Sequence, residues 1–220
     1  MTDSFLVTLD SKRYRAKPSD KEIAYITTRM KSAGGIEVTP AELCEHVRNG
    51  GTWVPGVFKT GATDESGKTI WGEFVSLQLV GLDFDNDAKV FRRFIDASGE
   101  PDYQPVKDAD GHELKRQLMP HEAGYLDPTD ALDRCTGLGL SPLMLYFTFS
   151  ASCPDKVKYR LIIDLGEPIA DEADASAIVE SLMAAFPECD ASCSNLNRLF
   201  FGTRPNGEVW ECWKTWEAES

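Results

Sequence analysis

The sequence predicts an α+β fold built on the order strand–helix–strand–strand–helix–strand, the split β-α-β arrangement. Three observations predict it. Residues 73–84, 143–149 and 159–165 are apolar runs of strand length, rich in β-branched and aromatic side chains. Between the first two, Asp127-Pro128-Thr129-Asp130 opens a helix that Gly137-Leu138-Gly139 closes. After the third, Asp171, Glu172 and Asp174 suit the first turn of a long helix through Phe186, followed by a fourth strand over 197–201.

Taken in order, residues 1–72 read as an N-terminal appendage, part helical and part extended, packed on a core of 73–220. Residues 18–31 form a helix with Ile23, Ile26 and Met30 at helical spacing. Thr39-Pro40-Ala41-Glu42 is a capping box with proline at the first helical position, opening a second helix through Arg48. Asn49-Gly50-Gly51 stops it, and 52–60 is extended but broken by Pro55-Gly56. Residues 86–127 are polar, rich in Asp, Gly and Pro, and read as a long insertion with one short helix over 89–95. A connection of that length is functional or disordered more often than not. Residues 150–157 form a polar link, Gly166-Glu167-Pro168 stops strand three, and 208–213 adds an edge strand.

The first apolar run ends in Asp83-Phe84-Asp85-Asn86. Strand alternation puts Gly81, Asp83 and Asp85 on one face and Leu82 and Phe84 on the other. Two carboxylates on one face repel each other unless a cation lies between them, and hard cations such as Mg²⁺ or Mn²⁺ take such oxygen ligands. The plainer alternative is a polar strand end running into a turn. In a split β-α-β sheet strand one is central, with strands three and four antiparallel on its two sides. Asp83 and Asp85 then meet Lys158 and Arg160, which share a face, and Asp190 with Arg198. Such a set suits a metal-bound nucleoside triphosphate. Asp83, Asp85 and Asp190 would hold one or two divalent ions, Lys158 and Arg160 would face the phosphates, and Ser150 and Ser152 would donate hydrogen bonds. The plain alternative for the cations is ion pairing with the carboxylates and no ligand.

A formal net charge of −13 over 220 residues argues against broad, non-specific binding to nucleic acid. Positive charge is nonetheless concentrated at 12–15, 89–93 and 156–160. No apolar stretch has the length of a membrane span, and Met-Thr-Asp-Ser does not begin a signal peptide, so the expectation is a cytoplasmic protein with no membrane partner. The six cysteines then read as reduced thiols, and Cys189 and Cys193 have no second pair to complete a zinc site.

These stretches together resemble the archaeo-eukaryotic primase superfamily, in particular the primase–polymerase domains of plasmid- and phage-type replication proteins. The resemblance runs over about residues 39–203. It is carried by Gly50-Gly51-Thr52 with Pro55-Gly56, by Gln78 to Asn86, and by Tyr146-Phe147-Thr148-Phe149-Ser150. Lys158-Tyr159-Arg160-Leu161-Ile162, Phe186 to Asp190 and Asn197-Arg198-Leu199-Phe200-Phe201-Gly202-Thr203 complete it. It implies catalytic metal on Asp83, Asp85 and Asp190 and nucleotide contacts from Lys158 and Arg160. It also implies a single-stranded DNA template and a separately encoded or fused helicase as partner. The length and polarity of the 86–127 insertion, and its attachment directly after Asp83 and Asp85, lead to the expectation that it steers template through Arg92 and Arg93. In one respect the chain departs from the pattern. The second motif of the family commonly carries a histidine after a serine, but Ser150-Ala151-Ser152 has none, and His112 and His121 lie upstream. No Gly-x-x-x-x-Gly-Lys-Ser/Thr helicase motif is present. The expected function is thus a metal-dependent nucleotidyltransferase that makes or extends primers in phage or plasmid replication. The alternative is a catalytically degenerate module that binds nucleotide or DNA.

Overall fold

The computed structural model describes residues 4–152, 155–205 and 207–214, so Cys153 lies outside the described residues. The chain is α+β, with its strands in antiparallel sheets. In order the elements are β1 (Phe5–Arg13), α1 (Asp20–Ser32), β2 (Ile36–Val38), α2 (Pro40–Arg48), β3 (Gly51–Val54) and β4 (Val57–Phe58). After these come β5 (Phe74–Phe84), β6 (Asp87–Lys89), β7 (Phe91–Ile95), β8 (Pro101–Pro105) and β9 (Lys115–Gln117). The remainder is α3 (Pro128–Leu138), β10 (Ser141–Phe147), β11 (Tyr159–Ile169), α4 (Glu172–Ala185), a 3-10 turn (Ala191–Ser194), β12 (Phe200–Phe201) and β13 (Val209–Trp210).

The larger sheet has the order β13-β10-β11-β5-β4. Its faces divide by strand alternation. Val80, Leu82 and Phe84 of β5, with Leu161 and Ile163 of β11, face the helices, where Cys135 of α3 and Val179 and Leu182 of α4 cover them. Phe84 stacks on Tyr159 at 4.8 Å between centroids, worth about 0.5–1.5 kcal/mol beyond simple burial. Leu79 of β5, Ile162 and Tyr146 face the other way, toward Trp53 and Phe200 of a smaller sheet ordered β12-β3-β1-β2. Residues 1–72 thus supply three strands of the smaller sheet and β4 of the larger one.

The helix caps follow from the sequence. Thr39 Oγ1 accepts the Glu42 N–H, while the Glu42 carboxylate accepts the Thr39 N–H. Asp127 caps α3, which ends on Gly139 at φ 68°. Ser19 and Glu22 form a second capping box on α1.

Three expectations need correction. Strand four does not flank strand one: β12 pairs with Thr52 and Trp53 of β3, and β4 holds the edge of β5 at Phe74 and Ser76. The reason is Gly81, where a Cβ would stand 2.6 Å from the Phe200 ring. The missing side chain lets that ring lie on the face of β5, so its strand stacks over the sheet rather than extending it. Residues 89–95 are not helical: they belong to a long antiparallel arm in which β6 pairs with β9 and β7 with β8. Arg92 and Arg93, adjacent on β7, therefore point to opposite faces. Finally, β11 continues through Gly166-Glu167-Pro168 with a register shift, Gly166 taking φ 83° while the Asp164 carboxylate accepts its N–H. Strands β1 and β2 were not assigned from the sequence.

Candidate active site

Asp83 occupies the last turn of the pleat on β5, directly opposite Arg160 on β11. Its backbone continues the geometry. The Asp83 carbonyl accepts the Asp190 N–H at 2.8 Å, and Cys193 Sγ accepts the Asp83 N–H at 3.2 Å. The 3-10 turn after α4 therefore lies against the stretch of β5 that β4 leaves bare, and it sets Asp190 beside Asp83. Asp190 is fixed in turn by Ser192, whose N–H and hydroxyl both donate to its Oδ1.

The Asp83 carboxylate is 6% exposed and lies between two guanidiniums. Arg198 Nη2 donates to Oδ2 at 2.8 Å, and Arg160 Nη2 donates to the same oxygen at 3.2 Å. Arg160 Nε stands 3.2 Å from Oδ1 but off the line of its N–H, so Oδ1 has no hydrogen-bond partner. Burial opposes ionisation of Asp83, but the charges of Arg160 and then Arg198 outweigh it and hold the carboxyl below its ordinary range. Burial likewise works against the Arg160 charge, and Asp83 more than restores it. Phe200 backs both guanidiniums, 5.4 Å from Arg160 and 5.7 Å from Arg198. Arg160 also donates to the Phe201 carbonyl.

Asp85, two residues on, meets Lys158 at 2.8 Å. Lys158 also holds Asp87 at 2.6 Å, and Lys115 at the root of the arm reaches Asp87 at 3.1 Å and Asp85 at 3.7 Å. Asn86, between the two aspartates, takes φ 46° and ties both ends of the arm together. Its amide donates to the Leu126 carbonyl and its Oδ1 accepts the Leu126 N–H, while its own carbonyl accepts the Leu118 N–H.

A cleft of about 410 Å³ opens over these groups, lined by Asp83, Asp85, Asp190, Arg160, Arg198 and Ser150 among others. Lys158 and Ser152 are not in its lining. The Lys158 ammonium is committed to Asp85 and Asp87, which is the ion-pair alternative. Ser152 is exposed in a tight turn, its backbone paired with Lys156 in both directions. Thr148, which the sequence did not single out, lines the cleft and lies 3.3 Å from Ser150, hydroxyl to hydroxyl. Lys17 of the N-terminal segment lines it too, a residue that only the tertiary fold brings here.

The donor set fits a hard divalent cation in kind: three carboxylates line one cleft, and Asp83 Oδ1 is buried without a hydrogen-bond partner. The three do not bring an oxygen each within 4.8 Å of one another; among the described residues only Asp108, Asp110 and His112 form such a group. That exposed trio is a hairpin turn in which Asp108 accepts the N–H groups of Asp110 and His112. Asp64 and Asp96 build the same turn with no histidine, so turn chemistry accounts for it. Among the described residues no histidine lines the cleft. Among the described residues no helix is long and apolar enough to cross a membrane. Comparison of the chain with protein-family models, curated proteins and solved structures gives no match.

Proposed function

We propose that the cleft is the active site of a metal-dependent nucleotidyltransferase of the primase–polymerase type, acting on nucleoside triphosphates and a single-stranded DNA template in phage or plasmid replication. One observation carries the reading: Asp83 near the end of β5 and Asp85 just past it share a single cleft with Asp190, Arg160, Arg198 and Ser150. Acidic and basic groups lining the same small volume suit a polyanion that arrives with its counter-cation.

In this reading Asp83, Asp85 and Asp190 hold Mg²⁺ or Mn²⁺, whose chemistry is to activate the attacking hydroxyl and stabilise the leaving pyrophosphate. The protein's own groups do the rest. Arg198 and Arg160 present planar donors to phosphate oxygens, and Phe200 behind them fixes the plane in which they lie. Ser150 and Thr148, which line the same cleft, offer hydroxyl donors. Lys158 does not touch the nucleotide; it holds Asp85 in place and ties it to the root of the arm. The order β5, α3, β10, β11, α4 supports the reading, because it corresponds to five of the six elements of a split β-α-β arrangement; the sixth, β12, lies in the smaller sheet.

A second reading rests on a specific feature. Asp83 is already neutralised by two arginines, and among the described residues no imidazole lines the cleft, as a nucleotide-binding module that has lost turnover would have it. Labelled nucleoside triphosphates with Mn²⁺ or Mg²⁺ and single-stranded template separate the two. Incorporation that Asp85→Ala abolishes supports the enzyme. Nucleotide binding by calorimetry with no incorporation under either metal supports the binding module.

A further inference from the structure

A second cavity of about 550 Å³ has Arg13, Tyr14, Arg15, Arg48, Pro205 and Gly207 in its lining. Among the described residues no carboxylate lines it, in a chain of net charge −13. Arg48 is satisfied by Glu211 at 2.6 Å and Glu45 at 3.3 Å. Arg13 and Arg15 differ. Both are exposed, Arg13 donates only to the Asp10 and Lys12 carbonyls, and among the described residues neither has a carboxylate partner. Lys17, equally exposed and unpaired among the described residues, lines the Asp83 cleft.

The two cavities are neighbours along two chain segments at once. Arg15 and Lys17 divide between them on one side, and Phe201 and Pro205 on the other. From Arg13 to Lys17 is four residues, at most about 14 Å of chain. Within that reach a stacked strand, at roughly 3.4 Å per nucleotide, sets successive phosphates beside more than one of these cations. In a chain of net charge −13, unpaired cations of this kind give a polyanion a local attraction; Arg15 and Lys17 carry most of it, since Arg13 also borders a cavity lined by Glu37, Glu42 and Glu45.

We infer that Arg13, Arg15 and Lys17 form a groove that carries the phosphate backbone of a single nucleic-acid strand to the Asp83 cleft. The inference rests on the cleft being a nucleotidyl-transfer site, but the binding it requires is measurable without metal or nucleotide. A mononucleotide or free phosphate would need only one of these cations; a strand uses them together and shows it in the salt dependence of binding.

The test is anisotropy of a dye-labelled oligothymidylate with chelator present, over roughly 50–200 mM salt. Arg13→Ala with Arg15→Ala should weaken binding tenfold or more and make the log–log salt slope shallower by about 1.4, the loss of two single-strand phosphate contacts. Arg13→Lys with Arg15→Lys should keep the slope, since the charge remains. Lys68→Ala with Lys107→Ala, which removes two lysines lining neither cavity, should leave both quantities unchanged. Inorganic pyrophosphate at equal concentration should compete poorly. The inference is overturned if the wild type does not bind the strand, if the alanine pair binds with wild-type affinity and slope, or if the lysine control loses as much. Strand binding that depends on Arg13 and Arg15 without any incorporation keeps the groove and overturns the cleft reading. Incorporation with an unaffected alanine pair does the reverse.

Discussion

Replacing Asp83 by alanine should destabilise the protein strongly, and replacing Asp85 should not. The sequence argued the opposite for Asp83, because two like charges on one strand face gain from losing either. In the folded protein the nearest charges to Asp83 are cationic: Arg198 at 2.8 Å and Arg160 at 3.2 Å, with Asp83 itself only 6% exposed. Removing one member of a buried charge cluster leaves its partners unpaired, which costs about 3–5 kcal/mol. Arg198 retains Asp190 at 3.6 Å, so the cost falls chiefly on Arg160. The Asp85 side chain is 35% exposed, and Lys158 keeps Asp87 when Asp85 is gone, so its loss costs about 0–1 kcal/mol. For a chain of this size each kcal/mol is about 2–4 °C in melting temperature. Asp83→Ala should therefore melt ~6–20 °C below wild type and Asp85→Ala within ~4 °C of it. The assay is urea and thermal unfolding at neutral pH with chelator present. Neutral pH is the right condition: the Asp83 carboxyl is held below its ordinary range, so its stabilisation is complete above the unfolded value near ~3.9 and fades as pH falls through the folded one. An Asp83→Ala protein as stable as wild type would refute the clamp and restore the repulsion argument. Loss of incorporation in the folded Asp85→Ala variant is then the clean probe of catalysis, because no loss of fold accompanies it.

Three further outcomes follow from the same geometry. His46 is buried with its Nδ1 unpartnered and its Nε2 2.9 Å from the Thr52 carbonyl, and burial depresses its pKa to about 4. The unfolded chain binds a proton there from about pH 6.5 downward and the folded chain does not, so stability should fall by up to ~3 kcal/mol between about pH 7 and pH 4; urea midpoints in which His46→Gln shows the same pH dependence as wild type would rule this out. Gly81→Ala should cost about 1–3 kcal/mol and lower nucleotide affinity, because the new methyl displaces the Phe200 ring that backs both arginines; an unchanged urea midpoint would count against it. Ser150→Ala should slow incorporation while Ser152→His leaves it unchanged, since only Ser150 lines the cleft; faster turnover in Ser152→His would show that this turn reaches the site.

Much of the fold was legible because local chemistry and tertiary packing agree. The Thr39 and Asp127 caps fall at the observed helix starts, and the apolar runs at 74–84, 143–147 and 159–165 are strands of the larger sheet. The misreadings have physical causes. Phe91, Phe94 and Ile95 stand at i, i+3 and i+4, the spacing of a helix face, yet the segment pairs as β7 with β8 and leaves most of its side chains exposed. Strand β1 mixes its pattern, since Thr8 and Asp10 are buried polar groups; Asp10 is held by both Arg29 nitrogens at 2.7 Å, a pairing 19 residues apart that no local rule supplies.

The site shows the same division more sharply. That Asp83 and Asp85 would share a face with Gly81 follows from strand alternation, and Arg160 opposite Asp83 follows from pairing β11 with β5. The roles of the cations do not follow, because alternation gives the face and not the partner. Lys158 and Arg160 share one face, yet Lys158 is drawn to the root of the arm by Asp87, a residue that reads from sequence as one more polar turn position. Arg160 is held inward by Tyr146 and Phe200 rings at 5.8 and 5.4 Å, contacts set by two sheets stacking. The same stacking places Lys17 in the cleft. A carboxylate pair at a strand end therefore marks the candidate site, while the arginines that neutralise Asp83 are set by the stacking of the two sheets, through Gly81 of the larger and Phe200 of the smaller.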